Sequence, residues 1–134
     1  MKPSKSFRIL GLLAATGLLA SCATLQRQDA TEHARFDAYA GKPVAQFSWL
    51  TSQHGTSAIS RNQLVAWTDI NRPYLITVAQ PCPDLMLANR IAITSTIDTV
   101  HARADYVIAR GFHCEIKTIQ PIDYLAMQRA TRRE

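Results

Sequence analysis

Residues 63–80, QLVAWTDINRPYLITVAQ, contain the two clearest strands of the chain. Residues 63–68 and 74–80 are rich in the β-branched and aromatic side chains that suit a pleated, half-buried surface. Between them, residues 69–73 are turn-forming types such as Asp, Asn and Pro. Because so short a connection joins neighbouring antiparallel strands, this stretch predicts a β-hairpin.

Further strand-like segments flank the hairpin. Before it, residues 45–49 alternate apolar with polar side chains, as a half-buried strand does, and a turn at residues 54–56 leads into a short segment at 58–60. Residues 97–104 are ambiguous because large apolar side chains are sparse there. After the hairpin, the sequence predicts one helical turn at 84–88 and strands at 90–96, 106–110 and 114–120.

Short helices are predicted near both ends of this strand-rich region. The first begins at the capping residue Asp29 or Thr31 and ends at residue 40, followed by Gly41. The second covers residues 122–129, with Leu125 and Met127 as candidate packing residues. The prediction is a mainly β (α+β) fold: one small domain with a bent antiparallel sheet or small open barrel, one or two short flanking helices and one disulfide.

The N-terminus has the composition of an export signal. Basic residues in positions 2–8 precede the apolar run ILGLLAATGLLA at residues 9–20. A spanning helix needs roughly 20 apolar residues, so this run is too short to cross a membrane permanently. The following Leu19-Ala20-Ser21-Cys22 resembles the lipobox of bacterial lipoproteins, in which a peptidase cuts before a lipidated cysteine.

The lipobox resemblance implies how the chain is processed and where in the cell it is located. It makes residues 1–21 a signal peptide, Cys22 the acylated first residue of the mature chain, residues 22–31 a tether and residues 32–134 a single periplasmic domain. Ala23, rather than Asp, follows the cysteine and implies the outer membrane, facing the periplasm. The covalent lipid on Cys22 is the only attached group expected, without further cofactors. A cleaved signal with a coincidental cysteine, or an uncleaved apolar anchor, is the alternative.

Once the signal is removed, the net charge is no argument for a nucleic-acid partner, and none is expected. The whole chain carries +5, but the signal contains three of its 15 Lys and Arg, so the mature chain has 12 basic against 10 acidic residues. Arg129, Arg132 and Arg133 cluster at the C-terminus. A solvated tail explains them, and contact with acidic lipid or glycan is the alternative.

Lipidation of Cys22 would leave two of the three cysteines, Cys82 and Cys114. An oxidising periplasm allows one disulfide between them. Reduced buried thiols or an intermolecular link are the alternatives.

Several short sequence motifs (phrases) between residues 36 and 126 together resemble those of a family of small proteobacterial lipoproteins of uncharacterised function. The resemblance implies a fold and an envelope address, and it transfers no catalytic residue. The phrases are Tyr39-Ala40-Gly41-Lys42-Pro43-Val44 with Phe47, Leu64-Val65-Ala66-Trp67, Tyr74-Leu75-Ile76-Thr77-Val78 leading into Cys82 and Leu85, and Cys114-Glu115-Ile116 leading into Ile119-Gln120-Pro121-Ile122-Asp123.

Few residues form a catalytic or metal-binding pattern. The four histidines fall in no metal-ligand spacing, so no metal site is expected. Asp98, His101 and Asp105 lie close enough in sequence for a small acid–base group, although ordinary polar residues of a surface loop explain them equally well. A possible binding platform for a glycan or peptide consists of Trp49, Trp67 and Tyr74, with core packing as the alternative.

These features favour a non-enzymatic cell-envelope lipoprotein with a binding or structural role at the outer membrane. Its partners would be the membrane, through the lipid, and an envelope protein or the cell wall. An immunity or inhibitor lipoprotein that blocks a periplasmic hydrolase is the alternative, acting through a loop at His54–Ser57 or Asp69–Arg72. A small hydrolase or metal-binding protein is a third hypothesis.

Overall fold

A computed structural model describes residues 31–49 and 55–134. The predicted signal peptide at 1–21, the lipidation site Cys22, the tether up to residue 30 and the candidate binding residue His54 lie outside the described residues. Residues 33–134 form one compact unit. In the described ranges, no helix is long and apolar enough to span a bilayer.

The elements follow the predicted order. A helix, α1, covers residues 31–38, and a second, α2, covers Tyr124–Thr131. A single 3₁₀ turn occupies Leu85–Leu87. The strands are β1 (Gln46–Ser48), β2 (Thr56–Ala58), β3 (Gln63–Trp67), β4 (Pro73–Val78), β5 (Ile91–Ile93), β6 (Thr99–His101), β7 (Tyr106–Ala109) and β8 (Phe112–Pro121).

Six strands form a nearly closed antiparallel sheet in the order β2-β3-β4-β8-β7-β5, and β1 pairs with β6 in a two-stranded sheet. The predicted hairpin is confirmed: β3 and β4 pair antiparallel, with Leu64 opposite Ile76. The mainly β fold class, with an open barrel-like sheet and flanking helices, is therefore confirmed.

The long strand β8 joins the two halves of the sheet. Its first half pairs with β7 and its second half with β4. The register with β4 shifts between Thr77 and Val78. Such an irregularity bends a strand and increases its twist, which curves the sheet toward closure.

The concave face of the sheet encloses the larger hydrophobic cluster. Leu64, Ile76 and Ile116 are fully buried in it. The β1–β6 pair adds Phe47 and Val100 to the same cluster. Burying a side chain of this size contributes about 1.5–3 kcal/mol, so this interior is the main source of stability.

A second cluster covers the outer face of the hairpin. Val65 and Leu75 point out of the sheet and pack with Phe36 of α1, Met127 of α2 and Ile122. Strands β3 and β4 are therefore buried on both faces, which explains the consecutive buried residues 64–66.

Only one of the two packing residues predicted for the closing helix is correct. Met127 is 5% exposed, whereas Leu125 is 51% exposed and points to solvent. The reason is helix geometry: residues two positions apart lie about 200° apart around the axis, so a helix that buries Met127 turns Leu125 away from the sheet. Asp123 caps this helix by accepting a hydrogen bond from the Ala126 N–H at 3.0 Å.

The predicted disulfide between Cys82 and Cys114 is present. It joins the segment after β4 to β8 and closes a loop with a sequence separation of 32. By the chain-entropy estimate, such a loop closure stabilises the fold by about 3–4 kcal/mol.

Candidate binding groove at the open seam

The outer strands of the six-stranded sheet, β2 and β5, approach each other without joining in a ladder. Each neighbouring pair in the sheet is antiparallel, so β2 and β5 also run in opposite directions. One side-chain contact bridges them: the Thr56 hydroxyl donates to the Ile91 carbonyl at 3.5 Å. We call this gap the seam.

Strand β2 presents backbone groups to the seam. The Trp67 N–H donates to the Gly55 carbonyl at 3.1 Å, and the Ile59 N–H donates to the Gln63 carbonyl at 3.0 Å. Residues 55, 57 and 59 therefore face β3. Because backbone groups alternate in direction along a strand, Thr56 and Ala58 direct their N–H and C=O groups toward the seam.

Strand β5 also directs backbone groups toward the seam, from the side opposite β2. The Thr94 N–H donates to the Tyr106 carbonyl at 2.9 Å, and Ala92 lies opposite Ile108. Residues 92 and 94 thus face β7. By the same alternation, Ile91 and Ile93 direct their backbone groups toward β2.

A groove of about 1260 Å³ runs over the seam. A smaller cavity of about 440 Å³ adjoins it around the Cys82 loop, and both cavities share Met86 and Leu87. The groove is lined by residues 56–58 of β2, residues 86–92 leading into β5, Ile108, Arg110 and Gly111.

An anchored turn holds exposed apolar side chains at the groove. Leu85 is 1% exposed and fixes the 3₁₀ turn to the core, while the nearby disulfide ties Cys82 to β8. In contrast, Met86 is 46% and Leu87 is 68% exposed. Neighbouring exposed apolar residues beside a groove are typical of an interaction surface.

The groove and the adjoining cavity are positively charged. Three arginines, Arg61, Arg90 and Arg110, line them against one acidic residue, Asp84. Arg110 Nη1 lies 3.7 Å from Asp84 Oδ2, with both side chains substantially exposed. Exposed pairs of this kind contribute little, so the surface keeps an excess of positive charge available to a ligand.

The three predicted acid–base residues separate in the structure. Asp105, 6% exposed, and His101 come together, whereas the exposed Asp98 contributes its backbone carbonyl to the Trp49 N–H at 2.7 Å. Asp105 Oδ2 accepts from the His101 N–H at 2.7 Å, and the His101 ring Nδ1 lies 3.3 Å from the same oxygen.

A further hydrogen bond reaches the second oxygen of the Asp105 carboxylate. The Thr94 hydroxyl donates to Asp105 Oδ1 at 2.7 Å and itself accepts the Tyr106 N–H at 2.8 Å. Burial opposes ionisation of Asp105, but the hydrogen bonds from His101 and Thr94 outweigh it, so the pKa of Asp105 is lowered. This carboxylate fastens the turn between β6 and β7.

The three aromatic residues of the predicted platform do not share one surface. Trp49 and Tyr74 pack against the interior cluster, where Phe47 stacks on Tyr74 with ring centroids 4.6 Å apart. Trp67 belongs to the outer cluster and contacts Tyr124 edge-to-face at 4.9 Å. The hairpin register explains the separation. Tyr74 pairs with Ala66, so these two side chains lie on the same face of the sheet, and Trp67, the residue after Ala66, points to the opposite face.

Among the described residues, no group of three or more His, Cys, Asp or Glu side chains is placed to hold a metal ion. Sequence reasoning missed the seam groove altogether. The adjacent apolar pair at 86–87 and the arginines at 61, 90 and 110 are its only sequence signal, and they come together through strand order.

The fold and the groove define a small disulfide-linked, nearly closed β-sheet domain with an open seam. Residues 5–134 match a family of unknown function (DUF6491), and the chain belongs to that family. This confirms the predicted membership of an uncharacterised family. No curated protein and no solved structure gives a significant match.

Proposed function

We propose that this protein is a non-enzymatic lipoprotein of the cell envelope, anchored through Cys22 in the outer membrane and facing the periplasm, whose groove binds a segment of a partner protein. The observation that carries the binding role is the seam. Two sheet edges with outward-directed backbone groups lie on either side of a groove that also exposes Met86 and Leu87.

The anchoring part of the proposal is supported by the first 22 residues. A basic start, a dozen uncharged residues and Leu19-Ala20-Ser21-Cys22 occur in the order that lipoprotein export requires. Each buried methylene of an acyl chain contributes about 0.8 kcal/mol, and more than one chain is needed for stable anchoring. By the lipobox resemblance, the Cys22 sulfur would carry a diacylglycerol and its new amine a further acyl chain, which together meet that requirement.

Replacement of Cys22 tests the anchor. We expect Cys22→Ser to abolish acylation, so that the chain leaves the membrane fraction or accumulates with its signal uncut. Intact mass and membrane fractionation measure both effects. Unchanged mass and fractionation in the variant would refute lipid attachment at this position.

Site-specific photo-crosslinking in intact envelopes tests the groove. The probe amino acid is placed at Leu87, 68% exposed beside the groove, and as a matched control at Leu125, 51% exposed on α2. We expect a discrete protein adduct from position 87 and none of the same size from position 125. Equal adducts from both positions, or none from position 87, would contradict a groove-based binding function.

One observation favours the inhibitor alternative as a second candidate. The β3–β4 loop exposes 70% of Ile70 at its tip. The loop is internally braced: the Ile70 N–H donates to Asp69 Oδ1 at 2.6 Å, and the Thr68 hydroxyl donates to the Arg72 carbonyl at 2.8 Å. A braced loop with one projecting side chain is suited to entering an enzyme cleft, so the same crosslinker at Ile70 is the test; an adduct with a lytic enzyme from this position supports inhibition.

A further inference from the structure

We infer, on the basis of the proposed binding function, that the seam takes an extended, acidic segment of the partner protein, which adds to β2 as a further strand. Strand addition to an exposed sheet edge obtains affinity from main-chain hydrogen bonds and specificity from alternate side chains. Both components are present at this seam.

The main-chain component comes from two residues of β2. Thr56 and Ala58 direct backbone donors and acceptors outward at the two-residue spacing of an antiparallel ladder. A strand placed between β2 and β5 requires those strands to stand about 10 Å apart, which is twice the normal spacing. Widening the seam breaks the 3.5 Å hydroxyl bond between Thr56 and Ile91 and shifts Ala58 and Ile91 from their packing against the interior cluster, a cost that the main-chain bonds of the added strand must offset.

The side-chain component defines the charge of the partner. Side chains alternate between the faces of an added strand, so every second one lies over the outer surface of the groove. Arg90 and Arg110 line that surface, and Leu87 adds an exposed apolar contact. A partner segment in which Asp or Glu alternates with β-branched or aromatic residues fits this arrangement of positive charge and apolar surface.

The same charges disfavour a second copy of the chain as the occupant. A symmetric contact between two β2 edges would bring together two identical grooves, each with Arg90 and Arg110. Like charges facing each other across an interface oppose association. An acidic partner segment neutralises them instead.

Selection from a random-peptide phage library on the full-length protein in detergent micelles tests the inference. We expect enriched peptides that alternate acidic with β-favouring residues. A synthetic copy of the strongest peptide, and a version with proline at its centre, are then titrated by fluorescence anisotropy. The proline version should bind at least about tenfold more weakly, because it lacks a ladder donor.

Two variants of the protein assign the binding to the β2 edge and to the charge. Ala58→Pro removes an outward donor without removing a β2–β3 hydrogen bond, whereas Leu125→Ala, on α2 and outside the groove lining, leaves the outward donors intact. Arg90→Glu reverses a groove charge, and Arg133→Glu makes the same change in net charge at the C-terminus. We expect Ala58→Pro and Arg90→Glu each to weaken peptide binding about tenfold or more, and both controls to bind as the parent does.

The inference is overturned if no acidic peptide is enriched, or if the selected peptide binds Arg90→Glu as tightly as Arg133→Glu. If circular dichroism shows that Ala58→Pro fails to fold, the proline peptide still tests the main-chain pairing, and the charge comparison still tests the acidic character of the segment. A groove-specific adduct from position 87 together with a negative peptide result would leave the binding function standing and exclude strand addition. Absence of both results would remove the binding function itself.

Discussion

Replacement of Asp105 by Asn tests the buried charged side chain of the described structure. The substitution preserves size but removes the charge and one acceptor. Asp105 accepts from the His101 N–H and from the Thr94 hydroxyl, both at 2.7 Å, in a site where it is 6% exposed. Thr94 also accepts the Tyr106 N–H, so the change affects bonds on two sides of the β6–β7 turn.

The expected loss follows from these bonds. If the Asn carbonyl keeps the His101 N–H, its amide group faces the Thr94 hydroxyl, which then loses its acceptor. A hydrogen bond to a charged group contributes about 1.5–3 kcal/mol, so we expect Asp105→Asn to lower the free energy of unfolding by about 2 kcal/mol near neutral pH. Urea unfolding followed by tryptophan fluorescence measures this, with an unchanged m value.

The pH dependence gives the sharper test. The pKa of folded Asp105 is lowered, so its ionisation stabilises the fold fully above the unfolded pKa of about 3.9. That contribution is lost as the pH falls through the folded pKa. The difference between parent and Asp105→Asn should therefore shrink when unfolding is measured at successively lower pH below about 4.

Asp98→Asn is the matched control, because Asp98 is exposed at a positive φ of 54° that Asn tolerates. We expect its unfolding free energy to stay within about 0.5 kcal/mol of the parent. The reasoning is refuted if Asp105→Asn is equally neutral, or if its deficit is the same in acid as at neutral pH.

Further predictions concern the disulfide and the second helix. The double replacement Cys82→Ser with Cys114→Ser should lower the unfolding free energy by about 3–4 kcal/mol; urea midpoints measure this, and reductant should reproduce the loss in the parent while leaving the variant unchanged. An unaltered midpoint would contradict a stabilising role for the bond. Met127→Ala should cost about 2–5 kcal/mol, since Met127 is 5% exposed. Leu125→Ala, at 51% exposed, should change stability by less than about 0.5 kcal/mol, and equal losses from the two helix variants would show that α2 is packed through a different face.

Local patterns in the sequence predict the elements whose determinants are local. The hairpin at 63–80 combines β-forming runs with a turn-rich connection, and both strands lie within two residues of their predicted ends. In contrast, β2 covers Thr56–Ala58 and shares only Ala58 with the segment predicted at 58–60. In an isolated three-residue strand, partner strands decide the boundaries.

The sequence does not predict strand β6, because the determinants of this strand are non-local. Val100 is its single buried residue, and its partner is Phe47, more than fifty positions earlier in the chain. The turn before it contains Ile97 and Asp98, both with positive φ. Glycine or asparagine usually occupies turn positions with positive φ, and neither stands at 97 or 98, so the sequence does not mark this turn.

The candidate site was hidden for the same reason. The groove depends on which strands become the edges of the sheet, and β2 and β5 are 35 positions apart between Thr56 and Ile91. The hypothesis of an aromatic platform likewise required side-chain directions, and only the β3–β4 register separates Trp67 from Tyr74. The pairing of Cys82 with Cys114 is predictable from the cysteine count, because two cysteines remain once Cys22 is assigned to lipidation.

The position of β8 affects how the chain must be made. This strand lies between β4 and β7 in the sheet, yet it is the last strand in the sequence. A polypeptide that emerges N-terminus first therefore holds β4 with one uncovered edge until residues 112–121 follow. Such an edge invites pairing with other chains, so release of a product truncated before residue 112 would promote aggregation rather than yield a smaller working domain.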